Sequence, residues 1–182
     1  MLKKFLSRYK VPLILLAFLF VFANQNNENS IMSLETNQFP SIQGNNLNKI
    51  KKTVPDDFVD KDLIVIVAFQ QWHQPLVDES IENLENEELD LTYNIIEVPT
   101  IRKSTKLNEI YLDGVMRRAI REDKIRNRTI TAYIDKEQFK DSLEIPDEQS
   151  IYWFLVGKNS KNILLKGSGV ITPEEVNLIK SN

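Results

Sequence analysis

The spacing of apolar residues changes several times along the chain, and each change marks an element. Leu63 to Phe69 (LIVIVAF) is an unbroken β-branched run, the pattern of a strand buried on both faces. Pro75 then suits the first turn of a helix, where its missing N–H is not needed, and Leu76, Val77, Ser80, Ile81 and Leu84 follow on one helical face. Leu91 to Val98 (LTYNIIEV) predicts a second strand. The spacing of Leu107, Ile110, Tyr111, Val115 and Ala119 predicts a helix over 106–120 with one apolar side.

Thr129 to Ile134 predicts a third strand and Glu137 to Leu143 a short helix. Ile151 to Val156 and Asn162 to Lys166 pair as a hairpin across Gly157-Lys158-Asn159-Ser160. A last helix has a clear start, with Thr172 as cap, Pro173 in the first turn and Glu175 completing a T-x-x-E capping box. The order β-α-β-α-β-α-β-β-α combines a parallel crossover region with an antiparallel hairpin, so the fold class is α/β with a mixed central sheet and flanking helices.

Ahead of these elements the pattern is different. Residues 1–10 are basic and residues 11–23 (VPLILLAFLFVFA) are apolar, ending in small residues suited to cleavage after Ala23. Thirteen apolar residues fall short of the roughly 20 that span a bilayer comfortably, so cleaved signal and retained anchor are both open. Either one places the body outside the cytoplasm. From Asn24 to Pro55 the chain is rich in Asn, Ser and Gln without an apolar period, which predicts a flexible tether and a folded domain over 56–182.

Charge and composition narrow the function. The 182 residues carry a net charge of −3, but the first 23 hold four basic groups and no acid, leaving 19 basic and 26 acidic residues in the remainder. That mildly acidic body excludes a general nucleic-acid binder. The absence of cysteine excludes disulfides, zinc–thiolate sites and thiol nucleophiles, and a single histidine excludes a His-rich metal site. Nothing in the pattern calls for a cofactor or a metal. Gly167-Ser168-Gly169 lacks the wider spacing of a phosphate loop and reads as a strand end.

Two stretches remain as candidate sites. Phe69-Gln70-Gln71-Trp72-His73-Gln74-Pro75-Leu76 joins the first central strand to the first helix, where thioredoxins carry W-C-x-P-C; here the sequence is W-H-Q-P-L. The position resembles the motif without its thiols. His73 could act as a pH-sensitive contact or a general base, the plain alternative being a partly exposed loop histidine. Trp72 either contacts a partner or packs over the sheet edge. The second stretch runs from Met116 to Arg128, with Arg117, Arg118, Arg121, Lys124, Arg126 and Arg128 as six basic residues between 117 and 128. Arg117 and Arg121, at i and i+4, suit a carboxylate or phosphate partner, whereas a solvated face is the plain alternative.

The C-terminal third resembles a known family, the thioredoxin-like assembly factors of the mitochondrial F-type ATP synthase and their uncharacterised bacterial relatives. The residues concerned are Ile151-Tyr152-Trp153-Phe154-Leu155-Val156, then Ile163-Leu164-Leu165-Lys166-Gly167-Ser168-Gly169, then Thr172-Pro173-Glu174-Glu175. Upstream, Trp72 and Pro75 resemble the family's W-x-x-P, and Met116-Arg117 its Met-Arg pair. Gly157 stands where the family has Asp, and Leu164-Leu165 where it has Arg-Trp. The resemblance implies a thioredoxin-like fold, no thiol chemistry and a protein partner, a subunit of a membrane complex. The expectation is therefore a monomeric binding or assembly module that touches the membrane only through its N-terminal segment. A hydrolase or metal-assisted enzyme built around His73 is the alternative.

Overall fold

The computed structural model describes residues 37–182. The basic and apolar segment 1–23 and the polar residues up to 36 lie outside the described residues. Among the described residues, no helix is long and apolar enough to cross a membrane.

Seven strands form one mixed sheet: β1 (Ile42–Asn46), β2 (Lys51–Val54), β3 (Leu63–Ala68), β4 (Asn94–Arg102), β5 (Ile130–Ile134), β6 (Tyr152–Val156) and β7 (Ile163–Ser168). Their spatial order is β2-β1-β5-β4-β3-β6-β7. The central trio β3, β4 and β5 is parallel, and the hairpins β1–β2 and β6–β7 add antiparallel strands on either side. β3 is the all-apolar run, and its two neighbours and the layers above and below bury it completely from Leu63 to Val67. The helices are α1 (Gln74–Asn86), α2 (Leu89–Thr92), α3 (Lys106–Ala119), α4 (Asp123–Arg128), α5 (Lys136–Leu143) and α6 (Pro173–Lys180).

The two faces of the sheet bury separate cores. On one, Val65, Val67, Ile96, Val98, Ala132 and Phe154 pack with Phe39 and with Phe139 and Leu143 of α5. On the other, Ile64, Ile66, Trp153 and Leu155 pack beneath Val77, Ile81 and Leu84 of α1 and Val176 and Ile179 of α6. The capping box forms as the sequence predicts, with the Thr172 hydroxyl accepting from Glu175 N–H and the Glu175 carboxylate accepting from Thr172 N–H.

The expectation of a tether over 24–55 fails for its described part, because β1 and β2 lie within it. Phe39, Ile42, Leu47 and Val54 are too widely spaced to show a period, yet each is buried. The polar residues between them pair through their backbones, which asks nothing of side-chain polarity. Gly44 is required, because a Cβ there would stand 2.4 Å from the Thr131 carbonyl oxygen of β5. The sheet therefore begins well before Asp56. The second strand is also shifted: Leu89–Thr92 is a helical turn with Leu91 exposed, and β4 runs past Pro99 to Arg102.

Candidate functional site

The β3–α1 junction holds the first candidate set. β3 ends at Ala68, a single 3-10 turn covers Gln71–His73, and α1 starts at Gln74 with Pro75 in its first turn. Trp72 is 56% exposed, and its ring stands edge-on to the His73 imidazole with centroids 4.2 Å apart. His73 is 0% exposed, which corrects the expectation of a loop histidine near solvent. The turn folds the imidazole back under the junction, where Nδ1 accepts from Phe69 N–H at 3.2 Å. The remaining proton therefore sits on Nε2, which is buried and has no partner among the described residues. Burial holds the imidazole below its ordinary pKa, so it is neutral near pH 7.

An ionic cluster borders the junction. Glu148 accepts from Gln70 Nε2 at 3.0 Å and pairs with Lys136 at 2.5 Å and Lys140 at 3.3 Å. Burial alone would raise the Glu148 carboxyl, but the two ammonium groups outweigh it and hold the group below its usual range. Lys136 also lies 5.4 Å over the Phe69 ring. These contacts fix the loop rather than leave charge free for a substrate.

The sequence reading missed Glu97, which is 2% exposed in the middle of β4. The available signal was a lone acid in an apolar strand, Ile95-Ile96-Glu97-Val98. Gln74 Nε2 reaches one carboxyl oxygen at 3.4 Å and Asp78 at 2.9 Å, and Thr129 Oγ1 reaches the other oxygen. Thr129 Oγ1 also lies 2.7 Å from the Ile125 carbonyl, which can only accept. The hydroxyl has one hydrogen to give, so the network closes when Glu97 is protonated and donates to Thr129 Oγ1. Desolvation raises the Glu97 pKa, in agreement with this count, although Thr129, Arg128 and Gln74 oppose the shift.

The basic stretch divides into two groups. Arg126 donates to the carbonyls of Ile120 at 2.7 Å and Arg117 at 3.1 Å, capping the C-terminal end of α3. Arg128 pairs with Glu85 of α1 at 2.7 Å, and Lys124 pairs with Glu85 at 2.9 Å and Asp90 at 3.0 Å. Arg128 is thus a structural bridge and not an open recognition group. Arg117 and Met116 are half-buried, whereas Arg118 and Arg121 are exposed. Arg121 lies beyond the helix, which ends at Ala119, so the expected i, i+4 pair with Arg117 does not form.

The two candidate sets are not brought together. Trp72 follows the C-terminal end of β3, while Arg128 precedes the N-terminal end of β5, which runs parallel to it. Arg128 reaches Glu85 in the last turn of α1, whereas Trp72 stands just before its first turn. What joins the two stretches is Glu97, met by Gln74 from one side and Thr129 from the other.

No family model matches the sequence, and no curated protein matches it. In structure the chain is similar to the exposed lipoprotein thioredoxin Etrx1 of Streptococcus pneumoniae strain TIGR4, with a TM-score of 0.55 and 8% identity over 79% of this chain and 100% of that one. It is also similar to the thioredoxin domain of a thiol-disulfide oxidoreductase from Bacteroides vulgatus, with a TM-score of 0.50 and 15% identity over 79% of this chain and 94% of that one. BsSco, of the Sco family of cytochrome c oxidase assembly proteins, matches with a TM-score of 0.50 and 8% identity over 79% of this chain and 90% of that one. At these identities the likeness speaks for fold alone, and the resemblance to ATP synthase assembly factors rests on its motif residues. The chain has the thioredoxin-like fold, with His73 and Leu76 at the junction where thioredoxins carry their two cysteines.

Proposed function

We propose that this protein is a redox-inactive binding module that works outside the cytoplasm and assists the assembly of a membrane complex. The observation that carries the reading is the β3–α1 junction: a thioredoxin-like scaffold in which a buried neutral His73 and Leu76 replace the thiols, with Trp72 as the exposed aromatic ring among exposed glutamines. A large amphipathic ring at the rim of a rigid junction suits a protein contact, where aromatic anchors dominate binding energy. The ring stands edge-on to the buried His73 imidazole, and the ionic cluster around Glu148 ties down Gln70 two residues before it.

Export is supported by the basic and apolar residues 1–23 and by the likeness to an exposed lipoprotein. The assembly role is supported by the motif residues shared with ATP synthase assembly factors and by the likeness to BsSco, from a family of assembly proteins. A hydrolytic role for His73 would need its sealed Nε2 to open to solvent.

The test is capture of partners from host membranes under mild crosslinking. The full chain is expected to recover a specific membrane-complex subunit, and Trp72→Ala to lose it. Recovery of no specific protein, or equal recovery by the variant, counts against the proposal. A turnover abolished by His73→Ala would assign the junction to an enzyme instead.

A further inference from the structure

Helix α3 is amphipathic but turned over. None of its residues is buried. Leu107 is 79% and Tyr111 69% exposed, and Ile110 and Val115 are exposed beside them. The side facing the sheet is polar: Glu109 and Asp113 turn inward, and the Tyr133 hydroxyl of β5 lies 2.8 Å from Asp113 Oδ1 and 3.0 Å from the Glu109 carbonyl. A Cβ on Gly114, midway along the helix, would meet nothing within 4 Å.

The exposed charges on the helix itself are of one sign, although two exposed acids, Glu122 and Asp123, follow just beyond its end. Between residues 103 and 121 the acids are Glu109 and Asp113, both directed inward, whereas Lys103, Lys106, Arg118 and Arg121 are exposed and Arg117 is half-buried. Lys106 reaches Glu109 at 3.5 Å, and among the described residues no carboxylate pairs with Lys103, Arg117, Arg118 or Arg121. An otherwise acidic body thus presents a helix with an apolar ridge, a tyrosine and a basic rim, with Glu122 and Asp123 beyond its C-terminal end.

We propose that α3 is a peripheral membrane contact that lies on an anionic lipid surface, with Leu107, Ile110, Tyr111 and Val115 in the interface and the basic rim on the headgroups. An apolar face bordered by Lys and Arg is the composition of an interfacial helix. Charge complementarity selects the occupant. A second copy of the chain would set its own arginines against like charges or against the partner's apolar ridge. The sequence adds an independent reason: an apolar run of 13 residues is short for a stable span, and peripheral binding that rests on one marginal signal is made firm by a second. This contact is separate from the Trp72 junction and does not depend on its role.

The test is amide hydrogen exchange of the full chain reconstituted from detergent into vesicles of phosphatidylcholine alone or phosphatidylcholine with phosphatidylglycerol. Exchange over 106–119 is expected to slow by about tenfold or more in the anionic vesicles only, and the protection to fade as salt rises. Leu107→Glu with Tyr111→Glu should abolish the difference while leaving the thermal transition in detergent unchanged, since both residues are exposed. Single replacements of Arg118 or Arg121 by Gln should each weaken vesicle binding about fivefold. Equal exchange in both vesicle types, or protection that survives the double variant, overturns the proposal. Protection that arises only when an acidic protein is supplied assigns the face to a protein partner and also overturns it.

Discussion

Helices α1 and α3 cross the same side of the sheet, have amphipathic sequences of similar quality, and face opposite ways. In α1 the apolar positions Val77, Ile81 and Leu84 are buried. In α3 the equivalent stripe points to solvent. The difference lies in what each helix covers. Beneath α1, β3 and β6 present Ile64, Ile66, Trp153 and Leu155. Beneath α3, the register that places Ile66 beside Glu97 and Ile101 beside Tyr133 presents Glu97, Thr131 and Tyr133 on that side. The tie to the helix is the Tyr133 hydroxyl, which meets Asp113 and the Glu109 carbonyl, because a buried hydroxyl without a partner costs more than an exposed leucine. Glu97 is met instead by Gln74 and Thr129, and Thr131 Oγ1 has no partner among the described residues.

The sharpest way to break this comparison is to truncate one leucine on each helix. Leu84→Ala removes a fully buried side chain and should cost about 2–5 kcal/mol, whereas Leu107→Ala should stay within about 0.5 kcal/mol. Chemical denaturation of the two variants measures both. Equal costs would show that the α3 stripe is packed in solution. Phe39→Ala tests the corrected boundary in the same experiment. Its ring lies edge-on to Phe154 at 5.4 Å and Phe139 at 6.1 Å, so a loss of about 3–5 kcal/mol is expected. A residue in a free tether would cost nothing.

These outcomes bear on what the sequence can disclose. β3, α1, the β6–β7 hairpin and the capped α6 were legible because each has a dense local signal: an unbroken apolar run, a helical stripe, a turn, a capping box. Period reports that a face exists, but its partner is set by residues far away in the chain, and Tyr133 is more than 20 positions from Leu107. The β1–β2 hairpin was hidden for a related reason, since Phe39, Ile42 and Val54 act singly. His73 was visible as a residue at the thiol position. Its burial depends on a backbone turn that leaves no mark in the pattern.

A smaller effect is expected at the floor of α3. Tyr133→Phe keeps the ring but removes the hydroxyl held by Asp113 and the Glu109 carbonyl, leaving a half-buried carboxylate without its donor. The cost should be about 1–3 kcal/mol, and exchange over α3 should quicken because the helix has few other ties. If stability and exchange are both unchanged, the inward polar face does not orient the helix.

The smallest effect concerns Glu97, which lies at the border between the two helices, and its signature is a pH profile. Burial raises its pKa, so the folded state binds this proton more tightly than the unfolded chain does. Its contribution is full below the ordinary glutamate value of 4.5 and falls as pH rises through the folded value. His73 acts with the opposite sign: its lowered pKa makes stability fall as pH drops through the ordinary histidine value of 6.5. Glu97→Gln preserves the shape and both hydrogen bonds, with the amide donating to Thr129 Oγ1 and its oxygen accepting from Gln74, but has no proton to lose. The variant should therefore match the wild type in acid and exceed it near neutrality, while the acid-side fall set by His73 persists. Denaturation midpoints across the pH range measure this. A variant less stable than wild type near neutrality would mean that Glu97 works as a carboxylate, and the buried polar floor would then be charged.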